Sequence, residues 1–414
     1  MKERLKSVIL DQQEDLWDDS FIKRQIPDHY YDTEEVIVIS GIRRCGKSTL
    51  LNQIRIELQE KDYYLNFDDE RLIGFKVEHF QDLFETFVEL FGQQKTFYFD
   101  EIQNVWGWER FIRRLRDQGN KVFITGSNAS MLSRELGTHL TGRYMSMELF
   151  PFSFREYLQF NRVPHGAKEI HLTRQRSALQ KHFQHYLHTG GIPLYIKNRN
   201  DEYLKSLYNS IIYRDVLVRN RLTSEKEMLE LVHFLASNVA KSSSNNSLAK
   251  VVQVKNASTI RKYLDFLQNT YLLFQVNKYD VSLKKQLQNQ KKTYFIDNGL
   301  VEKLAFMFSD NLGRLLENLV YVELLRRKKK VYYHKQKYEC DFVIQDGKHI
   351  KEAIQVCYAW ESEETKSREI RGLKEAMSVY KLDEALILTN SHEEEINVDG
   401  KKIRFMPVWR WLLV

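Results

Sequence analysis

The residues with the plainest chemistry form one run, Gly41-Ile-Arg-Arg-Cys-Gly46-Lys47-Ser48. Glycines at 41 and 46 leave a backbone that can wrap an anion with successive amides pointing inward. Lys47 then pairs with β- and γ-phosphate oxygens, and the Ser48 hydroxyl coordinates Mg²⁺. Arg43, Arg44, Cys45 and Thr49 complete the loop. The ligand expected is ATP with Mg²⁺. A second signal is Asp100-Glu101 at the end of the apolar run Thr96–Phe99. An acid at the end of a buried strand is costly unless a cation meets it. Asp100 suits the Mg²⁺ ligand, and Glu101 suits the base that orients an attacking water. A third is Ser127-Asn128 after Val122–Thr125, polar groups able to sense the γ-phosphate if that strand neighbours the loop.

These residues need a scaffold that brings strand ends together. Val36–Ser40, Tyr63–Phe67, Thr96–Asp100 and Val122–Thr125 read as buried strands. Amphipathic patterns at Leu50–Gln59, Phe80–Phe91 and Trp108–Gln118 read as helices between them. Such alternation predicts an α/β fold with a parallel sheet covered on both faces. From about Phe154 to Ser237 the sequence turns helical, and Ser242–Ser247 reads as a linker. After about Asn311, a helix at Leu312–Lys328, strands at Val331–His334, Cys340–Ile344 and Ala353–Val356, a helix near Arg368–Tyr380 and a strand at Ala385–Leu388 make a separate α/β unit.

Composition narrows the class. With 414 residues, 43% of them hydrophobic and 29% charged, the chain has material for several cores, which excludes disorder as its main state. No run reaches the roughly 18 apolar residues of a membrane span, and the charged N-terminus lacks the apolar centre of a signal peptide. Three cysteines without CxxC spacing make neither a disulfide framework nor a zinc site. A reducing cytoplasm is the expected setting, with no membrane partner. Net charge is +7, yet residues 241–292 hold ten Lys or Arg against Asp265 and Asp280, a local +8. The basic excess therefore sits in one segment, as an electrostatic footprint for a polyanion does.

Further on, Leu140-Thr-Gly-Arg143 precedes another short strand-like run. Many ring ATPases place here an arginine that reaches a neighbour's γ-phosphate, a role Arg143 could fill; a surface arginine is the alternative. Together these pieces resemble the prokaryotic AAA-type P-loop ATPases with a C-terminal PD-(D/E)xK-nuclease-like domain. The matching runs include Phe67-Asp-Asp-Glu-Arg71, Phe99-Asp-Glu-Ile-Gln103, Ile124-Thr-Gly-Ser-Asn128 and Leu149-Phe-Pro-Phe-Ser-Phe-Arg-Glu-Tyr157. Gly190-Gly-Ile-Pro193 and Tyr213-Arg-Asp215 continue the series. The resemblance covers nearly the whole chain and implies ATP binding and hydrolysis by a homo-oligomer.

The basic segment has its own pattern. A helix-like run at Leu248–Val254, a turn, and a second helix capped by Ser258 make a helix-turn-helix. Strands at Tyr271–Tyr279 and Lys291–Ile296 would flank a wing. Arg261, Lys262, Lys284, Lys285, Lys291 and Lys292 are its candidate DNA contacts, to phosphates rather than bases; a spacer between subunits is the alternative. In the tail, the nuclease-like resemblance places Glu317, Asp341 and Gln355 at a metal centre, with Glu339 as an accessory ligand. Cys357 stands where that pattern has its lysine, which favours a lapsed site unless Lys351, Lys366 or Lys374 substitutes.

The expectation is thus a P-loop (ASCE/AAA-type) core over residues 1–153, a helical lid over 154–240, a winged helix over 241–310 and a restriction-endonuclease-like α/β domain over 311–414. Its expected function is ATP hydrolysis coupled to binding or remodelling of duplex or branched DNA. The rival is a nucleotide-gated signalling or defence switch acting on a protein partner.

Overall fold

A computed structural model describes residues 1–14, 21–127, 140, 142–305, 311–360 and 363–414. They divide into two compact units, Met1–Phe150 with Asn269–Tyr271, and Pro151–Gln268 with Leu272–Val414.

In the first unit, β1 (Val36–Ser40), β2 (Tyr64–Asn66), β3 (Thr96–Asp100), β4 (Lys121–Gly126) and β5 (Tyr144–Glu148) form one sheet. Its order is β2-β3-β4-β1-β5 and every pairing is parallel. β1, Val-Ile-Val-Ile-Ser, is buried at each position, as expected of a strand covered on both faces. β4 lies between β1 and β3, with Ser40 paired to Gly126, so the ends of all three meet at one edge. The helices Lys47–Glu57, Phe80–Phe91 and Glu109–Asp117 connect the strands. Phe80, Phe87, Phe97, Phe99 and Trp108 fill the core. Leu5, Val8 and Ile9 join it from the helix Lys2–Glu14, a segment whose charge is more conspicuous than its apolar stripe. Their spacing, continued by Gln12, is that of one helical face.

The second unit begins with the helices Phe154–Phe160, Thr173–Thr189, Asp201–Ser210 and Glu225–Ser237. β6 (Ser242–Ser243) and the helices Asn245–Val251 and Ala257–Asn269 follow, then β7 (Leu273–Asn277) and β8 (Lys291–Phe295). These strands form a second sheet, ordered β6-β8-β7 and antiparallel throughout. The Ser/Asn run at 242–247 is therefore not a linker. It supplies β6 and a capping box in which Ser244 accepts the Ser247 amide. Ser258 falls inside the first turn of its helix rather than at the cap. Between β7 and β8 stands the short helix Leu283–Gln288, so Lys284 and Lys285 lie on a helix and not at a hairpin tip.

The remaining strands, β9 (Lys330–Lys335), β10 (Glu339–Asp346), β11 (His349–Cys357), β12 (Glu384–Thr389), β13 (Glu394–Val398) and β14 (Lys401–Pro407), form a mixed sheet. Its order is β13-β14-β12-β11-β10-β9, with parallel joins at β11–β12 and β12–β14. The helices Leu312–Arg326 and Glu363–Tyr380 pack against this sheet. β13 and β14 lie beyond the expected strands, and Ile403 and Phe405 of β14 alternate into the core.

A buried polar network knits the second unit. Asp297 accepts the amides of Gly191 (2.6 Å) and Leu300 (3.3 Å). Asn298 donates to the carbonyls of Leu187 and Leu315, and Asn318 exchanges two bonds with the backbone of Phe295. Buried polar groups are retained where their partners are all supplied. Here they tie three chain segments together.

Candidate nucleotide site and a carboxylate cluster

The phosphate loop begins where β1 ends. At Gly41 an added Cβ would fall 2.2 Å from the Leu149 carbonyl oxygen, so only glycine permits the approach of β5's exit. Gly46 has φ 102°, which a side chain would strain, and it leads straight into the helix Lys47–Glu57. Lys47 is buried, and its Nζ donates to the carbonyls of Gly41 and Ile42 at 3.2 Å each. Glu101 Oε1 is 3.8 Å from the same nitrogen. Arg43 is half-buried, Arg44 exposed, Cys45 buried, and Ser48 and Thr49 half-buried.

Asp100 ends β3 at 1% exposure. It accepts hydrogen bonds from the hydroxyls of Ser48 and Thr125, while Oδ2 is buried with no hydrogen-bond partner among the described residues. Burial first, then the neighbouring Glu101, pushes its pKa up to about 6. Ser127 Oγ, just past β4, is likewise buried and unpartnered among the described residues. An unsatisfied carboxylate oxygen beside a hydroxyl-bearing loop is a donor set that fits Mg²⁺. Glu101 adopts a left-handed backbone (φ 50°, ψ 40°), a conformation costing about 1–3 kcal/mol that often marks functional positions. Its amide donates to Thr125 Oγ1 at 2.9 Å, and its carboxylate accepts from Gln103. Asn128 lies outside the described residues.

Two positioning residues belong to no motif. Thr125 holds Asp100 and Glu101 at once, and a threonine near the end of β4 was the available signal. Arg24 Nη2 donates to the carbonyls of Cys45 (3.1 Å) and Phe150 (3.2 Å), bracing the loop. It lies in an irregular segment where no periodicity points to it. Arg143 precedes β5 at the opposite end of the sheet, paired with Asp117 at 2.8 Å. Four residue steps separate the paired ends Val36 and Ser40, a span of about 13 Å, which puts Arg143 out of reach of the chain's own phosphate loop.

The raised Asp100 carboxyl makes a pH prediction. A proton competes with Mg²⁺ for it, so Mg²⁺-dependent nucleotide affinity should fall about tenfold per pH unit well below pH 6. By the same linkage, the stability that protonated Asp100 contributes is full below its unfolded value and lost as pH rises through about 6. Titrations of a fluorescent nucleotide between pH 5 and 7.5 check this, and Asp100→Asn should flatten the profile.

The second unit holds a separate cluster. Glu317, on the helix Leu312–Arg326, meets Glu339 and Asp341 of β10 around the ammonium of Lys292 from β8. The distances from Nζ are 2.9, 2.9 and 3.0 Å. Lys292 is only 2% exposed, which removes it from the DNA contacts expected of it. β8 turns it inward with Tyr294, whose hydroxyl donates to Glu317 at 2.6 Å. Burial alone would lower the Lys292 pKa, but Asp341, Glu317 and Glu339 outweigh it and hold the group charged. Burial and then Asp341 raise Glu317 to about 7.

Gln355 spends both ends of its amide on the protein, accepting the Asp341 amide at 3.1 Å and donating to Glu369 at 2.5 Å. Gln355, expected as a metal ligand, lines a cavity together with Asp341. Cys357 is a buried thiol pushed up to about 12 by burial, then Glu369. Lys351 is exposed and Lys374 pairs with Asp399. The three carboxylates line a cavity of about 870 Å³ that none of Lys351, Lys366 and Lys374 reaches. Among the described residues, no three His, Cys, Asp or Glu side chains are disposed to hold a metal ion.

Of the remaining basic candidates, Arg261, Lys262, Lys284 and Lys285 are exposed. Lys291 is half-buried, its pKa lowered by burial and by Arg261 nearby. No helix among the described residues is long and apolar enough to cross a membrane.

Comparison with known proteins divides the chain in three. Residues 33–158 match an AAA domain, 180–311 a domain of unknown function (DUF8612), and 312–411 another (DUF4143). The uncharacterized protein MJ1544 of Methanocaldococcus jannaschii is 36% identical over 399 residues, covering 92% of this chain and 88% of that protein. An uncharacterized protein of Haemophilus influenzae is 31% identical over 396 residues, covering 92% and 95%. Two solved structures are similar at 13% identity. A point variant of Thermotoga maritima RuvB covers 66% of this chain and 88% of its own, with a TM-score of 0.28. Cdc6p from Pyrobaculum aerophilum covers 78% and 98%, with a TM-score of 0.27.

Proposed function

The chain belongs to the family of the M. jannaschii protein MJ1544, with an AAA domain over residues 33–158, and from that premise we propose that it is an oligomeric, Mg²⁺-dependent ATPase that works on DNA. The observation that carries the nucleotide part is the pair of unsatisfied buried oxygens, Asp100 Oδ2 and Ser127 Oγ, beside the Lys47 loop. Gly41–Thr49 would bind the phosphates, and Ser48 with Asp100 would hold Mg²⁺, which when bound neutralises charge on the transferred phosphoryl group. Glu101, fixed in its left-handed conformation, orients and deprotonates the attacking water. Ser127 and Asn128 sense the γ-phosphate. Arg143, distant from its own loop, completes the site of a neighbouring subunit.

DNA is the proposed partner because the basic excess is local and much of it exposed. Arg261, Lys262, Lys284 and Lys285, with Lys291 behind them, would meet phosphates with little sequence preference. The segment 311–414 is proposed as nuclease-like in fold and lapsed in catalysis, supported by the neutral thiol of Cys357 and the committed amide of Gln355. Changing Arg261, Lys262, Lys284 and Lys285 together to Glu should weaken duplex binding for every sequence. The slope of log K against log salt should become shallower by about 0.9 for each phosphate no longer neutralised. Binding titrations from low to high salt read both effects. Unchanged affinity would leave the segment a spacer.

A further inference from the structure

We propose that Lys292 is a tethered cation that holds the carboxylate cluster in place of a metal ion, closing the nuclease-like centre from within. What it closes rests on the nuclease-like reading; that it occupies the cluster does not.

An ammonium has three protons to donate, and Lys292 has three carboxylate acceptors, Glu317, Glu339 and Asp341. The donor set is full, so this lysine is neither a free nucleophile nor a base. The Tyr333 ring closes another side, 5.8 Å from Nζ to its centroid. The spacing is that of ammonium hydrogen bonds. Oxygens lie 2.9–3.0 Å from the shared point, whereas Mg²⁺ draws its ligands to about 2.0–2.1 Å and Ca²⁺ to about 2.3–2.6 Å. Two of the acids are also held from outside the cluster. Val356 donates its amide to Asp341 Oδ2 at 3.0 Å, and Lys335 holds the other oxygen of Glu339 at 3.0 Å. Glu339 is further fixed by Gly372, where an added Cβ would fall 2.0 Å from the Glu339 carbonyl oxygen.

The cation and the acids come from different parts of the chain. Lys292 lies in the segment matched over 180–311, and all three carboxylates lie in the segment matched over 312–411. One ion cluster therefore both fills the centre and clamps the two segments together.

Terbium luminescence tests this on the full chain without nucleotide, since Tyr294 touches Glu317 and would sensitise an ion bound there. Wild type should show no emission that Asp341→Asn removes. Lys292→Ala should gain such emission and a rise in melting temperature on adding Tb³⁺ or Ca²⁺, both lost in Lys292→Ala with Asp341→Asn. Asp341-dependent emission from wild type overturns the proposal, and this arm needs no folded lysine variant. A folded Lys292→Ala that gains no ion overturns it too. If Lys292→Ala binds the ion, and a folded Lys292→Ala with Cys357→Lys binds it too but leaves duplex DNA uncut in Mn²⁺, the tethered cation stands and the nuclease-like reading alone falls.

Discussion

Lys47→Ala is expected to lose ATP binding and turnover together, whereas Glu101→Gln should bind ATP and scarcely hydrolyse it. Lys47 is the buried cation of the loop, already held over the Gly41 and Ile42 carbonyls. Removing one preorganised charge donor at a phosphoryl-transfer site costs roughly 10²–10³ in rate, besides the lost affinity. Glu101 stands 3.8 Å from that ammonium, and its geometry is set by Thr125 rather than by phosphate. Its replacement should leave affinity near wild type and lower turnover by roughly 10²–10⁴. Nucleotide titration alongside steady-state phosphate release separates the two losses. Wild-type turnover by Glu101→Gln would move the base to another residue.

Lys292→Met should be among the most destabilising single changes in the second unit. It keeps the volume but leaves three carboxylates facing one another without a cation. Breaking a buried ion cluster from one side costs about 3–5 kcal/mol, because the remaining charges lose their compensation. The sign with pH follows from the groups left behind. Glu317 already titrates near 7 beside Lys292; a carboxylate whose folded pKa is raised contributes stability at low pH and loses it as pH rises through that value. Without the ammonium those pKa values rise further, so the defect should be greatest at pH 8 and smaller at pH 5. Urea unfolding at the two pH values measures it. Adding Glu317→Gln and Asp341→Asn should restore most of the loss, since Glu339, the one acid left charged, keeps Lys335 as its partner.

Local patterns were legible and long-range pairings were not. The phosphate loop is contiguous, and its glycines, lysine and serine declare their roles by spacing alone. β1 and β3 could be placed from apolar runs ending in polar residues. Arg24 and Thr125 act across distances in sequence that no motif spans, and each shows itself only as a hydrogen-bond partner. Lys292 shows where charge counting fails. It added to a basic excess read as surface, although it shares a face of β8 with Tyr294 and both faces of that strand are buried from 292 to 295. Lys284 and Lys285 left the expected hairpin tip because 278–290 is long enough to hold a helical turn.

The central claim, ATP hydrolysis put to work on DNA, is tested most directly by the steady-state ATPase rate with and without duplex DNA. With Mg²⁺, the wild-type protein should hydrolyse ATP, Lys47→Ala should not, and added duplex should accelerate the wild-type rate. A wild-type rate that is absent, or that is the same with and without DNA, would contradict the account. The second result would favour a nucleotide-gated switch acting on a protein partner.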